Sequence, residues 1–448
     1  MSLRYLTPEM AELWSEESKF LSWLEVEKAV AEVQGELGII PKEAAREIQR
    51  ASFQIKEIER FEKVTNHDVI AFTQSVAKSI GSWGRFVHYG LTSYDVVDTA
   101  LALRCRRGWE IIEMALVDLR TTVAQLARRY RETPMIGRTH GIHAAPITFG
   151  LKCLSWLAEI ERGIERVHRA KEEISYGKIS GVVGAYTTLS PAVEKLVLKR
   201  LGLKVEPVAT QVIPRDRHAS TILTQALVAG CVERIATEIR NLHRTEIGEV
   251  QEPFGKTQAG SSAMPHKKNP VICERLCSLV RVIRGYAVVA LENIPLWHER
   301  DLTNSAAERI TIPEGFTFLH YCLREINKVL LGLVVDEERM RKNLLLSGET
   351  FYSQSLLSAL VEKGMNRTQA YQLVQKLAFE AMNRGERFPN RARQSRQVQK
   401  LLTSEELDQV FDIPRLLKNV KAIYRRVALL PKEKGKRGKT FGGQGSAS

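Results

Sequence analysis

Apolar residues recur at alternating steps of three and four along most of this chain. Trp109, Ile112, Leu116, Leu119, Val123, Leu126 and Tyr130 form one such seam, closed by Pro134. Ile272, Leu276, Leu279, Ile283, Tyr286 and Ala290 form a second, closed by Pro295, and Val228, Val232, Ile235, Ile239 and Leu242 a third. This spacing is that of one helix face. Segments near 147–175 and 312–345 read as two more long helices. Helices of roughly 22 to 30 residues span about 33–45 Å. Five of them predict an elongated bundle. Val280, Val282, Ile283, Val288 and Val289 give one helix more than one apolar face, which calls for burial against further helices, including those of other subunits.

Outside this stretch the pattern shortens. Residues 6–92 read as shorter helices, with a start at Thr7-Pro8 and a stop at Gly35 and Gly38-Ile39-Ile40-Pro41. Shorter helices return after about residue 341. Residues 432–448 are rich in Lys, Gly and Ser and read as a disordered basic tail. No strand-rich block and no fixed-period repeat is predicted.

The net charge of +14 and pI near 9.5 favour anionic partners: nucleic acid, a membrane surface or acidic metabolites. No apolar run is long enough for a transmembrane helix, and Met1-Ser2-Leu3-Arg4-Tyr5 lacks the apolar core of a signal peptide. The six cysteines are scattered without a CxxC, so free thiols in a reducing cytosol are expected.

The densest polar run is Gly260-Ser261-Ser262-Ala263-Met264-Pro265-His266-Lys267-Lys268-Asn269-Pro270. It sets hydroxyls, an imidazole, two ammonium groups and a carboxamide ahead of a helix N-terminus, where free N–H groups favour an anion. Either serine and either lysine could serve there. Polar groups also concentrate at Thr65-Asn66-His67-Asp68, His88-Tyr89-Gly90-Leu91-Thr92-Ser93-Tyr94-Asp95, Gly137-Arg138-Thr139-His140-Gly141-Ile142-His143 and Glu299-Arg300-Asp301-Leu302-Thr303-Asn304-Ser305, with Arg309 beyond. Each has a plain structural alternative. Asn66 or Asp68 would cap a helix, His143 would be a satisfied buried histidine, and Arg300 and Arg309 would be surface charges. His140 and His143 lack an HExxH or Cys/His cluster, so no metal is expected. Gly181-Val182-Val183-Gly184 is too short for a dinucleotide fingerprint, and no phosphate loop or GxSxG elbow occurs. Histidines, serines, lysines and arginines together suit general acid–base work on a polyanion.

The run 260–270 resembles the GSSxMPxKxNP signature of the fumarase/aspartase superfamily of lyases. Within it, the chain is similar to the adenylosuccinate lyase family. Collinear matches span Arg4-Tyr5, Asn66-His67-Asp68, residues 88–95, residues 138–143, Thr210-Gln211-Val212-Ile213-Pro214-Arg215-Asp216, the serine run and residues 299–305 with Arg309. The resemblance implies an all-α fumarase/aspartase-like fold. An N-terminal helical domain (1–92) would precede an elongated central five-helix bundle (93–341) and a C-terminal helical domain (342–448). Four bundles would form the twenty-helix core of a homotetramer.

It also implies β-elimination of fumarate from adenylosuccinate, and from the succinyl-carboxamide ribotide of purine synthesis. By position in the family's motifs, Ser261 is the general base, Lys267 supports the aci-carboxylate, His140 is the general acid, and His67 assists near the departing nitrogen. Lys268 is peripheral. Arg4, Tyr5, Asn66, Asp68, Thr92, Ser93, Gln211, Asn269, Arg275, Arg300, Ser305 and Arg309 carry over as substrate-binding groups. No cofactor is implied. Because the matching segments lie far apart on long helices, one subunit is not expected to gather them, and the family's sites draw on three. Two rival readings stand beside this one: another lyase of the superfamily, such as argininosuccinate lyase or a carboxymuconate cycloisomerase, and a basic helical nucleic-acid-binding protein. The second lacks a helix-turn-helix or zinc pattern.

Overall fold

The computed structural model describes residues 3–255, 260, 263–427 and 429. The tail expected to be disordered lies outside them, as do Ser261 and Ser262. Helices dominate, and the all-α class holds. Five long ones are α1 (Ser93–Arg129), α2 (Phe149–Ile174), α3 (Asp216–Leu242), α4 (Val271–Glu292) and α5 (Ser305–Leu331). Each seam read from the sequence falls inside one of them, except that Tyr130 lies one residue past the end of α1. The chain clusters into two compact units, Met1–Thr122 with Glu159–Val334, and Val123–Ala158 with Val335–Ser448.

In the first unit α3, α4 and α5 pack against one another. Trp109 of α1 meets Phe316 of α5 edge to face, with ring centroids 5.0 Å apart. A neighbouring core stacks Phe20 on Phe72 and sets Trp23 edge-on to both. Phe20 and Trp23 belong to the helix Glu16–Glu36, which is longer than expected. It buries Phe20, Ser22, Trp23, Leu24, Val26, Glu27, Ala29 and Val30 on several faces, so its sequence lacks a single apolar stripe.

The helix expected over 312–345 is two helices. α5 ends at Leu331, a two-residue strand Val334–Val335 follows, and Glu337–Leu345 starts afresh. The Asp336 carboxylate caps it, accepting the Arg339 N–H at 2.8 Å. Gly332 marks the break. A Cβ there would stand 2.8 Å from the Pro253 Cβ. Leu330, Leu331, Leu333 and Val334 keep the apolar pattern running across it, which hides the break from a periodicity reading.

The second unit centres on Tyr352, Leu356, Leu360, Phe388 and Leu407. It also carries a β-hairpin that no strand pattern announced, Pro134–Thr139 paired antiparallel with Ile142–Thr148. Met135 and Ile136 are both buried, so the inside–outside alternation of a half-buried strand is missing.

Candidate active site

The first unit gathers residues from four distant segments around one cleft of about 500 Å³. Asn66, His67, Asp68, Ser93, Tyr94, Gln211, Arg300, Ser305 and Arg309 all line it. These matched segments meet within one chain, and neither His140 nor Lys267 lines this cleft. Asn66 ends the helix Ile55–Thr65 in the left-handed region (φ 51°), which asparagine tolerates. It is a C-cap, and the N-cap of the next helix, Asp68–Ser79, is His67. The His67 Nδ1 accepts the Ile70 N–H at 3.3 Å. Accepting this bond uses the Nδ1 lone pair, so the neutral ring that makes it carries its hydrogen on Nε2. Asp68 accepts from Val69 N–H at 2.8 Å and from the Arg309 guanidinium at 2.7 Å. Burial opposes the Arg309 charge, but the Asp68 bond together with the charges of Asp68, Tyr94 and Glu62 outweighs it and raises the arginine's pKa.

Arg300 lies over the Tyr94 ring at 3.5 Å and donates to the Gln211 side-chain oxygen at 2.7 Å. Gln211 donates in turn to the Val182 carbonyl at 3.0 Å. Ser93 opens α1 and Ser305 opens α5, and the Tyr94 hydroxyl bridges to the Ser305 Oγ at 3.4 Å. Two long helices therefore bring their N-termini to the cleft that also holds Arg300 and Arg309. Helix N-termini and guanidinium groups both stabilise phosphate or carboxylate. Thr92 stands beside Ser93. Its N–H is held by the buried Asp95 at 2.9 Å, and Asp95 also binds the buried Lys178 ammonium at 2.5 Å. Tyr94 was given no role from the sequence. An aromatic between Ser93 and Asp95 at a helix start was the available signal.

The remaining positions fall elsewhere. Tyr5 packs edge-on against Phe318 and Tyr321, and Arg275 donates to the Tyr321 hydroxyl at 2.9 Å. Arg4 is exposed in the turn before Tyr5. Lys267, Lys268 and Asn269 line a second cleft of about 1000 Å³ with Arg240, His243, Arg244, His266 and Glu274. Gly260 is required there because a Cβ would lie 2.6 Å from the Lys267 carbonyl oxygen and 2.7 Å from that of Pro265. Ser261, the expected base, lies outside the described residues.

In the second unit His140 and Gly141 form the two-residue loop of the hairpin. Thr139 pairs with Ile142, and φ is 55° at His140 and 77° at Gly141. Two successive positive φ values are the signature of a type I′ turn, which asparagine or aspartate usually opens. A histidine there adopts a backbone of elevated energy, and its side chain is exposed. His143 is half-buried in the second strand, not a core histidine. Among the described residues no group of three or more His, Cys, Asp or Glu could hold a metal, and no helix is long and apolar enough to cross a membrane.

The chain matches a family model described as "Lyase" over residues 2–285 and one described as "Adenylosuccinate lyase C-terminus" over residues 349–427. It is 48% identical to an adenylosuccinate lyase of Thermotoga maritima over 94% of this chain and 98% of that protein. It is 46% identical to one of Aquifex aeolicus over 95% and 98%. A crystal structure of a fumarate lyase from Mesorhizobium sp. BNC1 superposes with a TM-score of 0.87 at 28% identity, covering 94% of this chain and 98% of that one. The signature loop, the arginine-rich cleft and these likenesses agree, and the chain belongs to the adenylosuccinate lyase family of the fumarase/aspartase superfamily.

Proposed function

We propose that the protein cleaves adenylosuccinate to AMP and fumarate, and cleaves the succinyl-carboxamide ribotide of purine synthesis in the same way. The observation that carries this reading is the 500 Å³ cleft where Arg300, Arg309 and the N-termini of α1 and α5 converge. It suits a ligand bearing a phosphate and carboxylates. In the reaction, Ser261 removes the proton from the succinyl carbon beside a carboxylate. The electron pair passes into that carboxylate, giving an aci-carboxylate. Fixed donors, with Lys267 among them, stabilise the added charge. Collapse of this intermediate forms the fumarate double bond and breaks the C–N bond. His140 protonates the departing nitrogen. His67, its Nδ1 engaged as a helix cap, offers Nε2–H as a hydrogen-bond donor.

The working enzyme in this reading is a homotetramer in the cytoplasm, with His140 and Ser261 of one site supplied by different subunits. Exposed apolar side chains on the long helices support such packing. Met114 is 61% exposed, Leu227 60% and Val288 61%. Purified protein given adenylosuccinate should release AMP and fumarate in equal amounts. Fumarate released only from argininosuccinate would overturn the substrate. Ser261→Ala and His140→Ala variants, each inactive, should regain part of the activity when mixed under conditions of subunit exchange. No recovery after demonstrated exchange would reject shared sites.

A further inference from the structure

A buried guanidinium lies where three segments of the cleft meet. Arg215 is the N-cap of α3 and closes the segment 210–215. Its side chain is 1% exposed. Each of its three nitrogens donates to a different group. Nε donates to the Ile213 carbonyl at 2.9 Å, Nη1 to the Glu308 carboxylate at 3.1 Å, and Nη2 to the Asp98 carboxylate. The same Asp98 oxygen accepts the Ile213 N–H at 2.8 Å. Asp98 stands on α1 one turn beyond Tyr94, and Glu308 on α5 one turn beyond Ser305. The segment 210–215 carries Gln211, which receives the Arg300 bond in the cleft. None of Asp98, Arg215 and Glu308 lines that cleft. Arg215 was part of a matched run with no role assigned, and Asp98 and Glu308 were not singled out in the sequence.

The spacing of the two helix ends has to be set from below the cleft. The Tyr94–Ser305 contact joins α1 to α5, but 3.4 Å is long for a bond between hydroxyls, and such a bond is weak. Charge-assisted bonds from a guanidinium are stronger and fixed in direction by its rigid plane. Asp98, Glu308 and Ile213 are thereby held in one arrangement by a single side chain.

We propose that Arg215 is a positioning residue for substrate binding: by clamping Asp98 of α1, Glu308 of α5 and the backbone of Ile213, it sets the spacing of the Ser93 and Ser305 helix ends and the place of Gln211 between them. This rests on the adenylosuccinate lyase reading of the cleft. Arg215 does not touch substrate in this scheme and acts through the elements it joins.

The test uses the full chain as wild type, Arg215→Lys, Glu308→Leu and the double variant. Lysine keeps a cation between the two buried carboxylates and strands neither, but one ammonium cannot span all three acceptors. Glu308→Leu removes one arm and leaves Arg215 paired with Asp98. KM and kcat with adenylosuccinate, AMP binding by calorimetry and the urea midpoint are measured for each. In Arg215→Lys, KM and the AMP Kd should each rise about ten- to a hundredfold, the scale of a misplacement of roughly 1 Å, with kcat changing far less. Glu308→Leu should raise both by a smaller factor. In the double variant the two factors should not multiply, because both changes act through one clamp. A lowered urea midpoint with wild-type KM and AMP Kd would reduce Arg215 to a structural residue and overturn the proposal. Factors that multiply would overturn it too. If the lysine variant does not fold, Glu308→Leu decides alone, and a wild-type AMP Kd there rejects the clamp. A wild-type protein that neither cleaves adenylosuccinate nor binds AMP would defeat the functional reading. Amide hydrogen exchange at Ile213 would still decide the clamp: faster exchange in Arg215→Lys upholds it, and unchanged exchange rejects it.

Discussion

Lys178→Met should be among the most damaging single changes to the first unit. Lys178 and Asp95 are both fully buried and joined at 2.5 Å. Asp95 Oδ1 also accepts the Ser180 and Gly181 N–H groups at 3.1 and 3.2 Å, and its Oδ2 accepts the Thr92 N–H at 2.9 Å. The ammonium donates a further bond to the Gly181 carbonyl at 3.2 Å. Removing it leaves a buried carboxylate with backbone donors but no countercharge. Stranding one member of a buried ion pair costs about 3–5 kcal/mol. The three remaining N–H donors, each contributing roughly 1.5–3 kcal/mol to a charged acceptor, place the expected loss near the lower end, about 3 kcal/mol. That is a large share of the roughly 5–15 kcal/mol that holds a folded protein together. Urea unfolding followed by far-UV circular dichroism, at one fixed protein concentration, measures it. The double variant Asp95→Asn with Lys178→Met should lose less than the sum of its singles, because it strands no charge. A Lys178→Met loss under about 1 kcal/mol, or additive singles, would refute the reasoning. The same variant should lower turnover, since the N–H that Asp95 holds belongs to Thr92 beside the cleft.

Gly150→Ala should destabilise the second unit by about 1–3 kcal/mol. The new Cβ would sit 2.4 Å from the Tyr424 hydroxyl and 2.5 Å from the Ala127 carbonyl oxygen, so Tyr424→Phe in the same background should return part of the lost thermal stability, and no return would count against this clash. His88 adds a pH dependence. Burial disfavours its charge, but its bond and charge pairing with the buried Glu27 win and raise its pKa above the ordinary 6.5. A raised histidine pKa contributes stability that is complete below the unfolded value and lost as pH rises through the folded one. The gap in urea midpoint between wild type and Glu27→Gln should therefore narrow from about pH 6 to about pH 8, and a constant gap would reject the pairing.

The seams at 109–130, 228–242 and 272–290 were legible because each helix buries one face and repeats it with the period of the backbone. Glu16–Glu36 hid its length by being buried on several faces, and α5 hid its end because apolar residues continue past Gly332. The hairpin at 134–148 escaped because its first strand buries consecutive residues. At the site, the chemistry-bearing residues were named from motifs, but the structural roles of Asn66 and His67 were not. Asn66 was read as a possible cap for the following helix, and the structure gives that place to His67.

The sequence by itself determined the helical class, the extents of the main seams, the family and the identity of most candidate site residues. All of these are recorded in local spacing or in short motifs. Only the tertiary structure decided which residues share a cleft. Asp68 meets Arg309 across 241 positions, Tyr94 meets Ser305 across 211, and Arg300 meets Gln211 across 89. It also set the Glu252 carboxylate on the Ile272 and Cys273 N–H groups at the start of α4. The reason is physical: a helical period reports which face of a segment is buried, not which other segment buries it, and that choice is made by side chains that fit together only once the helices have packed.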